Sequence, residues 1–270
     1  MLAGSLAMLI VVYGLGVARV WRNAGVGRGV TWPQTIAFAS SWIVLMAALS
    51  NPMDDLSDRF LVAHMAQHEM LIVVAAPLMA LGAPLVAALW ALPAKTRSRI
   101  SGVVRRPALT AAWMALSAPL TVFALHAIAL WTWHLPALYD LALAHEPVHV
   151  LEHACFFGTA ALFWWGIAHG RYGRAGYGAA VVYVFATAAH NGVLGALLTF
   201  SPHVWYAPYL VAHPSGMTPL QDQQLAGLLM WVPAGVGFVA GALALFAAWL
   251  RQSDRMTRFQ PAPVRQGQIE

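Results

Sequence analysis

The chain has 270 residues, of which 60% are apolar and only 9% charged, against roughly a quarter charged in soluble domains. This excludes a water-soluble globule and describes a polytopic membrane protein, whose helices each need about 20 mostly apolar residues to cross a bilayer. The net charge is +5, and a single cysteine, Cys155, excludes an internal disulfide and any multi-cysteine zinc or iron-sulfur site.

In chain order, apolar runs predict an all-α bundle of seven transmembrane helices over residues 2–18, 32–50, 60–81, 108–132, 147–168, 176–200 and 224–250, followed by a polar tail over 253–270. The first run has no basic stretch before it and no small-residue cleavage site after it, because Arg19 and Arg22 follow it, so it reads as a retained helix. Ala83 to Leu92 is too short to cross and reads as a helix that continues the third span or lies along the inner interface. Pro77, Pro119 and Pro233 fall inside spans three, four and seven, where a missing N–H kinks a helix. Gly237 and Gly241 form a GxxxG pair in span seven, and Gly192, Gly195 and Ala196 offer small contacts in span six. The tail is polar and short enough to be disordered.

Every basic residue except Arg59 falls on one side of these spans: Arg19, Arg22 and Arg28, then Lys95, Arg97, Arg99, Arg105 and Arg106, then Arg171 and Arg174, then Arg251, Arg255, Arg258 and Arg265. Arg59 stands opposite, beside Asp54, Asp55 and Asp58. The positive-inside rule therefore predicts the N-terminus outside and the tail in the cytoplasm, and it explains the basic balance without nucleic acid as a partner.

On that topology all of the 11 histidines except His169 lie in the outer half or outer loops. His64 and His68 are one turn apart in span three, and His149 and His153 repeat the spacing at the outer start of span five; i and i+4 share one helix face. His134 arrives at the same rim at the end of span four. His126 is about 12 Å deeper, and His190 lies roughly 15 Å below the outer end of span six. His203 and His213 bracket the last outer loop.

Imidazoles in a membrane span face the protein interior or water and need partners. Two His-x3-His steps entering from one side supply four nitrogens to one metal, so His64, His68, His149 and His153 are the predicted ligands. Candidate additional ligands or their hydrogen-bond partners are His134, His126, His190, Glu69, Glu152, Met65, Met70 and Asp222. Imidazole with thioether suits copper, especially Cu(I), and zinc also accepts imidazole. His126 and His190 read equally as partners of Glu69 or Glu152 or as axial haem ligands. Met65 and Met70 read as core side chains before ligands, and Asp222 as a helix cap or as a border of the cluster.

The ordered series His64-x3-His68, Pro77-Leu78-x-x-Leu81-Gly82-x-Pro84, Trp133-His134-x-Pro136-x-x-Tyr139, His149-x3-His153, Phe163-Trp164-Trp165, Tyr206-x-Pro208-Tyr209 and Asp222-Gln223-Gln224-x-x-Gly227-x-x-Met230-Trp231 resembles the bacterial multi-span cytochrome c oxidase assembly factor CtaG family over about residues 33–250. The single-span copper chaperone of the same name is a different protein. The resemblance implies a multi-pass protein of the bacterial plasma (inner) membrane that assists assembly of haem-copper oxidase by helping copper reach it. Its implied partners are oxidase subunits, a periplasmic copper carrier and the lipid bilayer. The ligand role of the four histidines is inferred from their spacing joined to that copper association.

The expected function is an assembly factor that is not an enzyme. No Gly-x-Ser-x-Gly elbow or Walker-type loop occurs, and the His64–His68 step reads His-Met-Ala-Gln-His instead of the His-Glu-x-x-His of a metalloprotease. The alternatives are a membrane haem-binding or electron-transfer protein using intramembrane histidines, a copper permease, and a structural interaction protein. Against transport, no polar path continues past the histidines.

Overall fold

The computed structural model describes residues 2–170, 176–210 and 216–258. Arg171, Arg174, His213 and residues 259–270 lie outside the described residues, which form helices and no strand. We number the helices α1 (Leu2–Ala24), α2 (Trp32–Ala48), α3 (Asn51–Ser57), α4 (Leu61–Leu81), α5 (Pro84–Ala91), α6 (Ala94–Val104), α7 (Pro107–Leu116), α8 (Pro119–Trp133), α9 (Pro136–Ala144), α10 (Glu146–Ala168), α11 (Gly176–Phe200) and α12 (Pro219–Arg258).

Among the described residues four helices are each long and apolar enough to cross a membrane: α4, α10, α11 and the Pro219–Arg251 part of α12. The count rises to 6 if the bent pairs α2–α3 and α7–α8 are each one span. One predicted span is therefore broken, and another ends in a bend. The run over 108–132 is interrupted before Pro119 by a bend of 56°, because the residue before a proline is pushed out of the helical region. Ala118 has ψ 139°. The 32–50 helix ends at Ala48, and α3 follows at 51° over the Asp54 segment read as a loop. At the other end of the chain, α12 runs on to Arg258 and takes in the start of the predicted tail; no glycine or proline interrupts the sequence before Pro261.

The short α5 continues α4 alongside α1 in parallel register. Tyr13 donates its hydroxyl to Gly82 O at 2.9 Å, Gly16 lies against the Ala87 backbone, and Arg19 reaches Ala91 O. The turn between α4 and α5 puts Ala83 at φ +50°. Apolar side chains gather in two clusters. The larger unites α4, α8, α10, α11 and α12 around Leu61, Met65, Phe156 and Leu194; the smaller seats α1 and α2 on Leu71 and Ala75 of α4. α4 thus lies between the two.

Within α4, Met70–Ala75 is a π-helical segment directly after Glu69. Pro77 has no N–H, and its ring would crowd the carbonyl four residues back, so the wider turn relieves a conflict written in the sequence. In that register the missing bond belongs to Ile72 O. Trp164 of α10 fills it with its indole N–H at 3.0 Å, while Ser41 of α2 donates to Ala75 O at 2.8 Å. The proline thereby becomes a point where three helices are joined.

α11 and α12 also pack backbone to backbone through glycines. A Cβ at Gly227 would sit 2.6 Å from both Thr199 N and Thr199 Oγ1, and one at Gly195 would sit 2.8 Å from Gly227 O. The GxxxG pair Gly237 and Gly241 faces elsewhere, toward Val73 of α4 and Trp164 of α10. Gly227→Val is therefore expected to force α11 and α12 apart at a cost of at least about 1–3 kcal/mol, read as a lower thermal midpoint in detergent; an unchanged midpoint would contradict the packing.

Candidate metal centre

Two helix starts bring the histidines together. At α4 the N-cap residue is Phe60, which has no side-chain acceptor to offer. Asp222 of α12 supplies one: its carboxylate accepts from Leu61 N at 2.6 Å and Val62 N at 3.1 Å. α12 is capped by its own box, Thr218 N donating to Gln221 Oε1 and Gln221 N to Thr218 Oγ1. Asp222 is thus a cap, but of a different helix from the one it begins. It holds the first turn of α4, from which His64 and His68 project. α10 begins at Glu146 with His145 at the N-cap and Pro147 in the first turn, and His149 and His153 follow on its inward face.

His64, His68, His149 and His153 each offer a ring nitrogen, and those atoms all lie within 4.8 Å of one another. Ring centres are 4.4 Å apart for His64–His68, 4.2 Å for His149–His153, 5.1 Å for His64–His149 and 5.3 Å for His68–His153. His64, His68 and His153 are buried and His149 is partly exposed. In all four, Nε2 is buried without a hydrogen-bond partner. Buried polar atoms are ordinarily paired, so four neighbouring imidazoles that each leave a nitrogen without a partner are a donor set suited to an ion.

The tautomer of His64 follows from its neighbour. Tyr209 donates its hydroxyl to Ser57 O at 2.7 Å, so toward His64 Nδ1, at 3.4 Å, its oxygen can only accept. Nδ1 therefore carries the proton and Nε2 the lone pair. Burial pushes the Tyr139, Tyr206 and Tyr209 hydroxyls above their ordinary range, keeping the phenols protonated as donors. Tyr139 stacks on Tyr206 at 3.9 Å, and its ring lies 5.0 Å from that of His64. Gln67 donates to Ala48 O and Asp54 Oδ1, both at 2.7 Å, locking the α2–α3 bend against α4. None of Tyr139, Tyr209, Gln67 or Asp54 stood among the predicted site residues; the tyrosines were visible only as letters in the Tyr206-x-Pro208-Tyr209 and Trp133-to-Tyr139 strings. We expect Tyr209→Phe to weaken metal binding by about 10- to 100-fold, as losing the partner of a ligating imidazole commonly does, measured by chelator competition.

The remaining candidates divide. Glu152 is fully buried, has no hydrogen-bond partner on either oxygen, and lies 3.9 Å from His68 Nε2, too far for a hydrogen bond and near enough to balance a cation. His134 is next to the group but outside it, with its ring 6.1 Å from that of His68 and Nδ1 bonded to Leu130 O at 2.7 Å. Glu69 leaves one carboxylate oxygen buried and unpartnered. Met65 is fully buried in the larger core and Met70 packs against the smaller, the reading preferred for both from sequence. His126 and His190 form a separate pair with ring centres 5.9 Å apart. His169, expected at an interface, is exposed.

A cavity of about 580 Å³ runs between α1, α2, α4, α5 and α10, walled by residues such as Leu9, Phe38, Trp42 and Phe157. Its polar lining includes Asp54, Glu146, His149 and His153, so two of the four histidines face both the cluster and this space.

A family model for the cytochrome c oxidase caa3 assembly factor (Caa3_CtaG) matches residues 11–252. The chain belongs to this family. It is also similar to two uncharacterized proteins, Mb0105 of Mycobacterium bovis and MT0111 of Mycobacterium tuberculosis, each 26% identical over 262 residues, a match that covers 92% of this chain. The chain spans 38% of the length of these curated relatives. No solved structure matches it significantly. In this member of the family the histidine cluster is a group able to hold a metal ion.

Proposed function

We propose that this assembly factor binds copper at the cluster of His64, His68, His149 and His153 and passes it to a haem-copper oxidase subunit. The observation that carries the reading is the convergence of one ring nitrogen from each of the four histidines within 4.8 Å, in side chains whose Nε2 atoms are buried and unpartnered. Imidazole donors suit copper, and Glu152 offsets one positive charge, so a bound Cu(I) with four neutral imidazoles leaves the buried site without net charge. In this reading the protein holds and hands over an ion and catalyses no bond chemistry. The partly exposed His149, which also lines the cavity, is the side from which the ion enters or leaves.

The proposed setting is the bacterial plasma membrane, with seven spans, the N-terminus and the cluster outside, and the C-terminus in the cytoplasm. A periplasmic carrier then delivers copper to the outer rim. The basis is the one-sided placing of Arg and Lys, with Arg59 alone on the other side. The alternative of a haem or electron-transfer protein that uses His126 and His190 has less support, because neither residue lines the 580 Å³ cavity.

The test is a deletion strain grown under copper limitation. Oxidase activity and oxidase-bound copper are expected to fall while oxidase transcripts persist, with partial recovery on adding copper. Normal oxidase copper content in the deletion strain would overturn the reading.

A further inference from the structure

Below the rim cluster, His126 of α8 and His190 of α11 are neighbours, with ring centres 5.9 Å apart and planes inclined at 64°. On α8, His126 is two turns from His134, about 12 Å along the axis, so it cannot share an ion with the rim set. The tautomer of His126 is fixed: Thr159 Oγ1 donates to Cys155 O at 2.8 Å and so accepts from His126 Nδ1 at 2.9 Å. His126 therefore carries its lone pair on Nε2. His190 has both ring nitrogens buried and without a hydrogen-bond partner, an arrangement that costs free energy unless something binds there. The edge of Phe123, 5.3 Å from the His190 ring, closes one side of the pair.

We infer that His126 and His190 form a second, deeper site for a monovalent soft cation, Cu(I), held between two imidazoles. Two imidazoles on opposite sides of one ion, with bonds of about 2 Å and about 1.1 Å from each nitrogen to its ring centre, place the ring centres about 6 Å apart. The observed separation matches. A closed-shell monovalent ion accepts two donors in line, whereas zinc asks for four and calcium or magnesium for oxygen, so the pair selects Cu(I) by donor number and type. The choice of copper rests on the function proposed above, while the site itself rests only on this pair.

The experiment loads the full chain in detergent with Cu(I) under reducing conditions, counts copper per chain against a competing chelator, and reads the donor shell by X-ray absorption. Wild type is expected to hold two ions and His190→Ala one. His149→Ala with His153→Ala should keep one ion, bound by two nitrogens. If His190→Ala fails to fold, His190→Met decides, because its thioether keeps the ion and adds a sulfur signal to the spectrum. Two ions retained in His190→Ala, or an all-nitrogen spectrum unchanged in His190→Met, would overturn the inference. A single wild-type ion lost with His149 and His153 but kept without His190 would also overturn it and leave the rim site standing. The opposite pattern would sink the rim site and leave this one.

Discussion

Copper binding at the rim is expected to vanish when His149 and His153 are replaced together by Ala, with the bundle still folded. Two of four converging donors disappear, and because changing the partner of a ligand alone costs about 10- to 100-fold, losing two ligands should weaken binding by well over about 100-fold. The fold should tolerate it. Each Nε2 is a buried atom without a partner, so its removal relieves a desolvation penalty instead of breaking a bond. The thermal midpoint is expected to move by only about 2–4 °C, the shift that roughly 1 kcal/mol gives a protein of this size. Chelator competition and a melting curve on the same preparation check both halves; retained copper in the double variant would remove these residues from the ligand set.

Asp222→Ala should have the opposite profile, a large loss of stability with a secondary loss of metal. Its carboxylate is fully buried and serves two backbone N–H groups at the start of α4. No other side chain at that N-terminus replaces it, since Phe60 occupies the cap. Charge-assisted hydrogen bonds are worth about 1.5–3 kcal/mol each, and unmade buried donors cost more, so a loss of about 3–5 kcal/mol is expected. Because His64 is only one turn away, fraying this end should also scatter half of the ligand set. Asp222→Asn keeps one oxygen acceptor and should recover part of the stability and part of the binding. Equal melting of Asp222→Ala and wild type would show that α4 is held by other means.

Much of the site was legible because helical spacing is local. His64 and His68, and likewise His149 and His153, share a face by the i, i+4 rule alone, and the boundaries of the apolar runs put both pairs at matched depth. The deep pair His126 and His190 was visible for the same reason. What spacing does not encode is the path of irregular chain: Tyr209 reaches His64 from a loop without periodicity, and Asp222 caps a helix 161 positions away in sequence. His134 was legible by depth but not by direction, since its ring turns back onto Leu130 O at the C-terminus of α8. The breaks after Ala48 and before Pro119 were partly written in the prolines, yet whether a proline kinks a helix or splits it depends on what packs at the bend. At Pro77, Trp164 supplies the missing donor and the helix continues.

The central claim, that four imidazoles at the rim hold copper, is tested most directly by X-ray absorption at the copper edge on the purified full chain carrying His190→Ala, so that only the rim site is populated. The account predicts about one copper per chain in a nitrogen-only shell with the outer-shell scattering of three or four imidazole rings, abolished by His149→Ala with His153→Ala. A shell dominated by sulfur, or a preparation that binds no copper while still folded, would contradict it.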